Sequence, residues 1–199
     1  VAFPNPEEPG ALDAAIALAT ELGADLILAN DPDADRLAVA VPDADDQWHT
    51  LTGNEVGALL AWWALQRSQG LPDPQLLEKM ATQAGVHYAE TLTGFKWLCR
   101  PALAHPQWLQ LVAYEEAMGY AVGPGCRDKD GLLAALAVAD LCGRLLNTGS
   151  DPLAVLDRLT REHGVHTTSQ VSVRFDSTGW ARNRDALVAR LESNPPTAL

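Results

Sequence analysis

Cysteine is scarce in this chain, and the three present, Cys99, Cys126 and Cys142, are odd in number and far apart. No Cys-x-x-Cys pair occurs, so neither a disulfide framework nor a zinc site is expected, and a reducing cytoplasm is the default compartment. Basic residues are also few. Fourteen Lys and Arg against 26 Asp and Glu leave a net charge of −12, with a pI near 4.6. Nothing supplies a basic stripe to neutralise a phosphate backbone, which argues against nucleic acid as a partner. Long apolar runs are missing. The best, around 57–65, is far shorter than a membrane span, so no membrane role is expected. The chain opens at Val1 without a basic-then-apolar leader, so no secretion signal is expected, and a first residue other than Met points to a piece of something longer. There is no internal repeat. His49, His87, His105, His163 and His166 show no metal-ligand spacing and are read as structural or exposed.

What is present suits a soluble folded protein. An apolar fraction of 47% suffices for a core, and 199 residues can make one large domain or one domain with pieces of its neighbours. Residues 11–22 carry apolar side chains at helical spacing and stop at Gly23, a good C-terminal cap. The runs 25–29 and 37–41 read as near-continuous buried strands. Strand 37–41, a turn at 42–47 and a strand at 48–51 form a hairpin, and 53–66 is a helix with Leu59, Leu60, Trp62 and Trp63 on its buried side. Pro72 and Pro74 break the chain before a helix over 75–83. A strand over 86–92, a helix from Gly94 to about Leu103 and a strand over 108–114 follow. Asp130 caps a long helix through Leu146, and Asp151-Pro152 opens another that stops at Gly164. A half-exposed strand at 170–175, a helix over 180–191 with Arg182, Arg184 and Arg190 on its solvated face, and a frayed tail at 193–196 complete the pattern. Helix and strand alternate, which predicts an α/β fold.

Chemistry concentrates in Asn30-Asp31-Pro32-Asp33-Ala34-Asp35-Arg36. Three aspartates at alternate positions put three hard oxygen donors into one tight turn, suited to a divalent, oxygen-loving cation. Because buried strands flank it, the turn sits at the end of a sheet, where open α/β folds place ligands. Unpaired carboxylates so close would repel, so a counter-cation is close to obligatory. An EF-hand is discarded, since its sixth and twelfth positions would need Gly and Glu, and Arg36 and Pro42 stand there. The cluster Asp43, Asp45, Asp46 is the contrasting case, read as a solvent-exposed hairpin turn.

Residues 29–36 resemble the metal loop of the α-D-phosphohexomutases, the phosphoglucomutase/phosphomannomutase superfamily. Three further segments follow in that family's order. Thr91-Leu92-Thr93-Gly94-Phe95-Lys96-Trp97 resembles its middle loop, Tyr114-Glu115-Glu116-Ala117-Met118-Gly119-Tyr120 its sugar-recognition loop, and Asp128-Lys129-Asp130-Gly131 its phosphate-contacting turn at a helix start. Phe3-Pro4-Asn5-Pro6-Glu7-Glu8 and Thr52-Gly53-Asn54-Glu55-Val56-Gly57 also fit, pointing to the branch with phosphopentomutase-like and bacterial phosphoglucomutase members. The resemblance implies a mixed β-sheet with helices on both faces, plus partial flanking domains. Residues 1–22 would end a preceding α/β domain, 23–165 form the metal- and sugar-binding domain, and 166–199 begin a C-terminal phosphate-binding domain. Where relatives carry an apolar strand between the two helices near 71–75, this chain has a short Pro-rich connection.

The same resemblance implies residue roles. Asp31, Asp33 and Asp35 would hold Mg²⁺, and Arg36 would contact the phosphoryl group, where a guanidinium fork matches its oxygens. A simpler role for Arg36, balancing the aspartates, is compatible with this. Glu115 would accept hydrogen bonds from adjacent sugar hydroxyls, which a carboxylate can do twice over. Ala117 replaces a serine common in relatives, which removes one polar sugar contact. Thr93 and Gly94 would touch substrate, and Lys129 would bind phosphate. Read without the family, Lys129 would be a surface ion pair with Asp128 or Asp130. Lys96 is a weaker candidate for the same charge, and Glu116 is structural. The implied activity is reversible phosphoryl transfer between the 1 and 6 positions of glucose or mannose phosphate, with glucose 1,6-bisphosphate or the cognate bisphosphate as activator and intermediate. Ribose phosphate is the alternative substrate. The family's phosphoserine loop and its distal Arg-x-Ser-Gly-Thr loop are absent, so the partners include the remaining domains of the same enzyme, and this chain alone is not expected to turn over. Two rival readings are a non-catalytic sugar-phosphate module and a Mg²⁺ phosphatase with Asp31 as nucleophile. The acidic balance means that a bound cation and local basic residues, not the overall field, must attract an anionic substrate.

Overall fold

The structure is a computed structural model that describes Glu8, residues 10–67, Ala81, and residues 85–166 and 179–194. The chain divides into two units, Val1–His166 and Thr167–Leu199. In the first, α1 (Asp13–Leu22) stops at Gly23, whose left-handed backbone (φ 61°) lets its N–H reach the carbonyls of Ala19 and Thr20. Strands β1 (Ile27–Asn30), β2 (Leu37–Pro42) and β3 (Trp48–Leu51) then form an antiparallel sheet in sequence order. The central strand is apolar at every position from Leu37 to Val41 and is buried on both faces, as the unbroken run predicts. Leu37, Val39 and Val41 pack with Val56, Leu59 and Leu60 of α2 (Gly53–Arg67). Ala40 joins Ile27 and Ala19 of α1 in a smaller cluster.

After Gly94 come two short helices, α3 (Phe95–Leu98) and α4 (Arg100–Ala104), in place of the single helix expected from 94 to 103. Pro101 explains the break: it has no N–H to offer the Trp97 carbonyl, so the ladder cannot run through, and it sits instead in the first turn of the second helix. Strands β4 (Val112–Glu115) and β5 (Gly119–Val122) make an antiparallel pair, linked to the first sheet by an isolated bridge between Arg36 and Gly119. Helix α5 (Gly131–Asn147) begins at Asp130, whose carboxylate accepts the Leu133 N–H at 2.8 Å, and α6 (Pro152–His163) begins at Asp151, which accepts the Ala154 N–H at 2.8 Å. Both pack into the main core through Val138, Leu141, Val155 and Leu159. Trp63 Nε1 of α2 donates to Asp140 of α5 at 2.8 Å, tying the two helices together. The second unit carries α7 (Trp180–Ser193), on which Arg182, Arg184 and Arg190 are exposed.

The class is therefore α/β, with helices on both faces of small sheets. The ladders among the described residues are antiparallel. The strand expected over 86–92 does not form: beyond half-buried Val86 these residues are exposed and join no ladder among the described residues. A strand–helix–strand order would pair them parallel to β4. Instead a cleft of about 620 Å³ lies between α2, this segment and β4, with Leu65, Val86, Pro101 and Val112 in its wall. The expected strand at 108–114 is shortened to β4, and ahead of it Trp108 stacks with His87 and His105 at centroid distances of 4.0 and 3.9 Å. The Pro-rich break near 71–74, the helix at 75–83, the strand at 170–175 and most of the tail lie outside the described residues. No single helix among the described residues is long and apolar enough to cross a membrane.

Candidate metal and substrate site

The turn between β1 and β2 is built by its own side chains. The β1–β2 ladder closes with Asn30 opposite Leu37. Asn30 Nδ2 donates to the Arg36 carbonyl at 2.6 Å, and Asp31 Oδ1 accepts the Arg36 N–H at 3.1 Å. Within this frame Ala34 adopts a left-handed backbone (φ 57°), which an L-residue takes at a cost of about 1 kcal/mol or more. The result is convergence: ligand oxygens from Asp31, Asp33 and Asp35 all lie within 4.8 Å of one another.

Two cations partly balance them. Arg36 Nε lies 3.6 Å from Asp31 Oδ2 and 4.0 Å from Asp35 Oδ1. Lys129 Nζ lies 2.6 Å from Asp35 Oδ2, with both side chains about three-quarters buried. Lys129 thus reaches across from the start of α5. Its sequence neighbours are otherwise engaged, Asp128 accepting the Lys129 N–H at 2.8 Å and Asp130 capping the helix, so a pair with either is not what forms. Burial pushes the Asp35 carboxyl up, and the Lys129 hydrogen bond and charge outweigh this and hold it below the ordinary aspartate value. The hydrogen bond to Asp35 raises Lys129 in turn, against burial.

The turn between β4 and β5 stands beside it. Glu115 pairs with Gly119 across the hairpin, and its Oε2 accepts the Gly94 N–H at 3.1 Å. Met118 at the turn is left-handed (φ 59°) and buried. Its carbonyl accepts the Leu37 N–H at 3.1 Å, while the Ala34 carbonyl accepts the Gly131 N–H at 3.0 Å. The two non-glycine residues strained into left-handed backbone in these turns therefore supply the oxygens that join the turns to their neighbours. Gly119 and Gly131 are needed for space. A methyl on Gly119 would lie 2.6 Å from Lys129 Cδ and 2.9 Å from Glu115 Oε1. One on Gly131 would collide with Asn30 Nδ2 and lie 2.5 Å from the Arg36 carbonyl oxygen.

The fold thus brings Asp31, Asp33, Asp35, Arg36, Gly94, Glu115 and Lys129 into one chain of contacts. Thr93 is exposed beside Gly94, and Lys96 is exposed with its ammonium 5.5 Å above the Trp97 ring. Sequence reasoning missed Asn30 and Gly131 as builders of the turn. A glycine at the first position of a long Ala/Leu-rich helix was the available signal, since it weakens a helix unless space demands it. Hard carboxylate oxygens, convergent and short of full compensation by Arg36 and Lys129, are a donor set that fits a divalent cation.

Comparison with known proteins decides the family. The model for phosphoglucomutase/phosphomannomutase α/β/α domain III matches residues 52–163, and that for domain II matches residues 1–44. The chain belongs to the phosphoglucomutase/phosphomannomutase family. A Haemophilus influenzae member of that similarity group, named "Probable phosphomannomutase", is 40% identical over all of this chain. Mouse phosphopentomutase is 39% identical over 85% of it. The chain spans 41% of the first relative's length and 30% of the second's. A solved phosphoglucomutase/phosphomannomutase family protein from Burkholderia thailandensis superposes with a TM-score of 0.57 over 78% of this chain and 33% of its own, at 22% identity, a likeness of fold alone.

Proposed function

We propose that the full-length protein is a phosphosugar mutase that moves a phosphoryl group reversibly between the 1 and 6 positions of glucose or mannose phosphate, and that this chain is its metal- and sugar-binding part. The phosphoserine and the grip on the distal phosphate come, in this reading, from the protein's other domains, with glucose 1,6-bisphosphate or its cognate as the intermediate. The observation that carries the reading is the direct joining of the two turns, through Leu37 N–H to the Met118 carbonyl, with Lys129 reaching Asp35 from the start of α5. That joining supports the reading, because a cation held by the three aspartates would then stand next to Glu115, a carboxylate able to accept hydroxyl hydrogen bonds.

Asp31, Asp33 and Asp35 would hold Mg²⁺, which supplies Lewis-acid polarisation of a phosphoryl oxygen. Arg36 and Lys129 supply the positive charge that an anionic substrate needs in an acidic protein. Glu115 spends one oxygen on Gly94, which fixes its orientation and leaves the other toward Gly119 and Lys129 for sugar hydroxyls. Thr93 adds an exposed hydroxyl at the same edge. Cys99, Cys126 and Cys142 are all free thiols, which supports a cytoplasmic enzyme.

Near-equal identity to a phosphomannomutase-named and a phosphopentomutase-named relative keeps ribose phosphate as the second substrate reading. The test is a mutase assay of the full-length protein on glucose, mannose and ribose 1-phosphates with catalytic bisphosphate, with and without EDTA. Turnover that vanishes with EDTA is expected, and none from residues 1–199 alone. No turnover on any of the three would reject the reading. Phosphate release by residues 1–199 alone would favour the phosphatase.

A further inference from the structure

Helix α2 carries two glycines in its first turns, Gly53 and Gly57, and neither has the left-handed backbone that would call for glycine. Within a helix glycine is the poorest former after proline, so two so close together need another reason. The helix start is otherwise well made. Glu55 accepts the Thr52 N–H at 2.7 Å and its hydroxyl at 2.9 Å, and Thr52 Oγ1 accepts the Glu55 N–H at 3.2 Å, a reciprocal cap.

The reason is what each glycine faces. A methyl on Gly53 would land on the Glu116 carbonyl oxygen and lie 2.7 Å from its carbon. One on Gly57 would lie 2.5 to 2.6 Å from three atoms of the Tyr114 ring, including the atom that attaches it to the chain. Tyr114 and Glu116 are the two neighbours of Glu115. The helix therefore grips the strand on either side of the carboxylate that the proposed function assigns to sugar hydroxyls. It cannot retreat, because Val56, Leu59 and Leu60 are fully buried and Trp63 is bonded to α5. The metal turn is held by other contacts, from Asn30, Arg36 and Gly131.

We propose that Gly53 and Gly57 are positioning residues that set the Glu115 carboxylate against the sugar phosphate by admitting α2 to close contact with Glu116 and Tyr114. The inference rests on the reading of Glu115 as the hydroxyl acceptor. In the full-length enzyme Gly57→Ala is expected to raise KM for glucose 1-phosphate at least tenfold, with kcat changed less and the magnesium activation constant unchanged. Gly53→Ala should do the same. Gly143→Ala, in α5 where a methyl meets nothing within 4 Å, is the control. Removing the opposing ring down to its Cβ in Gly57→Ala/Tyr114→Ala, which clears all three contacted ring atoms, should bring KM back toward the starting value. This double variant also serves if Gly57→Ala alone fails to fold.

An unchanged KM in Gly57→Ala would overturn the proposal. So would KM and the magnesium constant rising together, or a double variant without recovery, because both mark a general structural role. Lack of turnover in the unsubstituted protein would strike the mutase reading instead. Calorimetric titration with glucose 1-phosphate then still decides the positioning: at least tenfold weaker binding to Gly57→Ala supports it, and equal binding overturns it.

Discussion

The turn 31–36 and the turn 43–47 flank the same buried strand, β2, and each carries three aspartates. In the second, Asp43 Oδ1 accepts the N–H groups of Asp45 and Gln47, both at 2.9 Å, and its Oδ2 meets His49 Nε2 at 2.8 Å. Asp45 and Asp46 point to solvent. The turn expected to be merely solvated is organised by Asp43, but it completes itself from within. The first turn does not. Its carboxylates face one another, and besides Arg36 of the turn itself their balance comes from Lys129, more than ninety residues away in sequence. Acidity alone therefore does not mark a metal site. Convergence is what recommends the first turn as a candidate, and it requires backbone atoms and cations delivered by other elements.

Neutralising one carboxylate in each turn would test this contrast most severely. Asp33→Asn in the full-length protein should cut magnesium-dependent turnover roughly a thousandfold, since a metal supplies several kcal/mol and about 1.4 kcal/mol is a factor of ten. Asp45→Asn should leave it within about twofold, because an exposed carboxylate outside the site contributes little. Steady-state rates at saturating magnesium measure both, and normal turnover in Asp33→Asn would end the metal assignment.

Second in size is Gly131→Ala. Its methyl must displace Asn30 or the Arg36 carbonyl, so stability should fall by about 1–3 kcal/mol, seen as a lower urea midpoint, with weaker magnesium activation. Lys129→Met sharpens the role of the borrowed cation. Removing a positive charge beside Asp35 relieves its repulsion of the divalent cation, worth about 1–2 kcal/mol even at a solvent-like dielectric near 80, so magnesium binding should tighten about tenfold or more while glucose 1-phosphate binding weakens. Calorimetry with each ligand would show the opposed signs. Weaker magnesium binding would contradict the balance described.

The mildest effect lies in the self-contained turn. The Gln47 N–H, His49 and the Asp45 N–H hold the Asp43 carboxyl below its ordinary value despite some burial. A depressed folded value means that the stabilisation is complete above about 3.8, the unfolded value, and is lost as pH falls through the lower folded one. Protection of the Asp45 and Gln47 amides relative to their intrinsic exchange rates should therefore be lost only under strongly acidic conditions. Loss of that protection already near pH 5 would refute the arrangement.

Much of this was readable beforehand where local chemistry decides structure. The caps Asp130 and Asp151 and the stop at Gly23 rest on side chains and backbone within one turn. The buried run 37–41 announces a central strand on its own. The failures are of other kinds. Residues 86–92 alternate like a strand, but a strand exists only with a neighbour, and alternation cannot report that none pairs with it among the described residues. Pro101 was visible and should have split the helix. In the site, the side chains could be named from motifs, whereas the joints could not. Ala34 and Met118 act through carbonyls in left-handed backbone, and any residue type offers a carbonyl.

Those two carbonyls also limit how this protein can be re-engineered. Transplanting a foreign hairpin at 115–119 without the left-handed backbone of Met118 would misplace the acceptor for Leu37 and shift the root of the aspartate turn. Exchanging the cation turn alone would unseat the start of the long helix at Gly131. The smallest exchangeable cassette is accordingly a composite of residues 30–37, 115–119 and 129–131, and libraries that vary sugar preference should diversify all three stretches together.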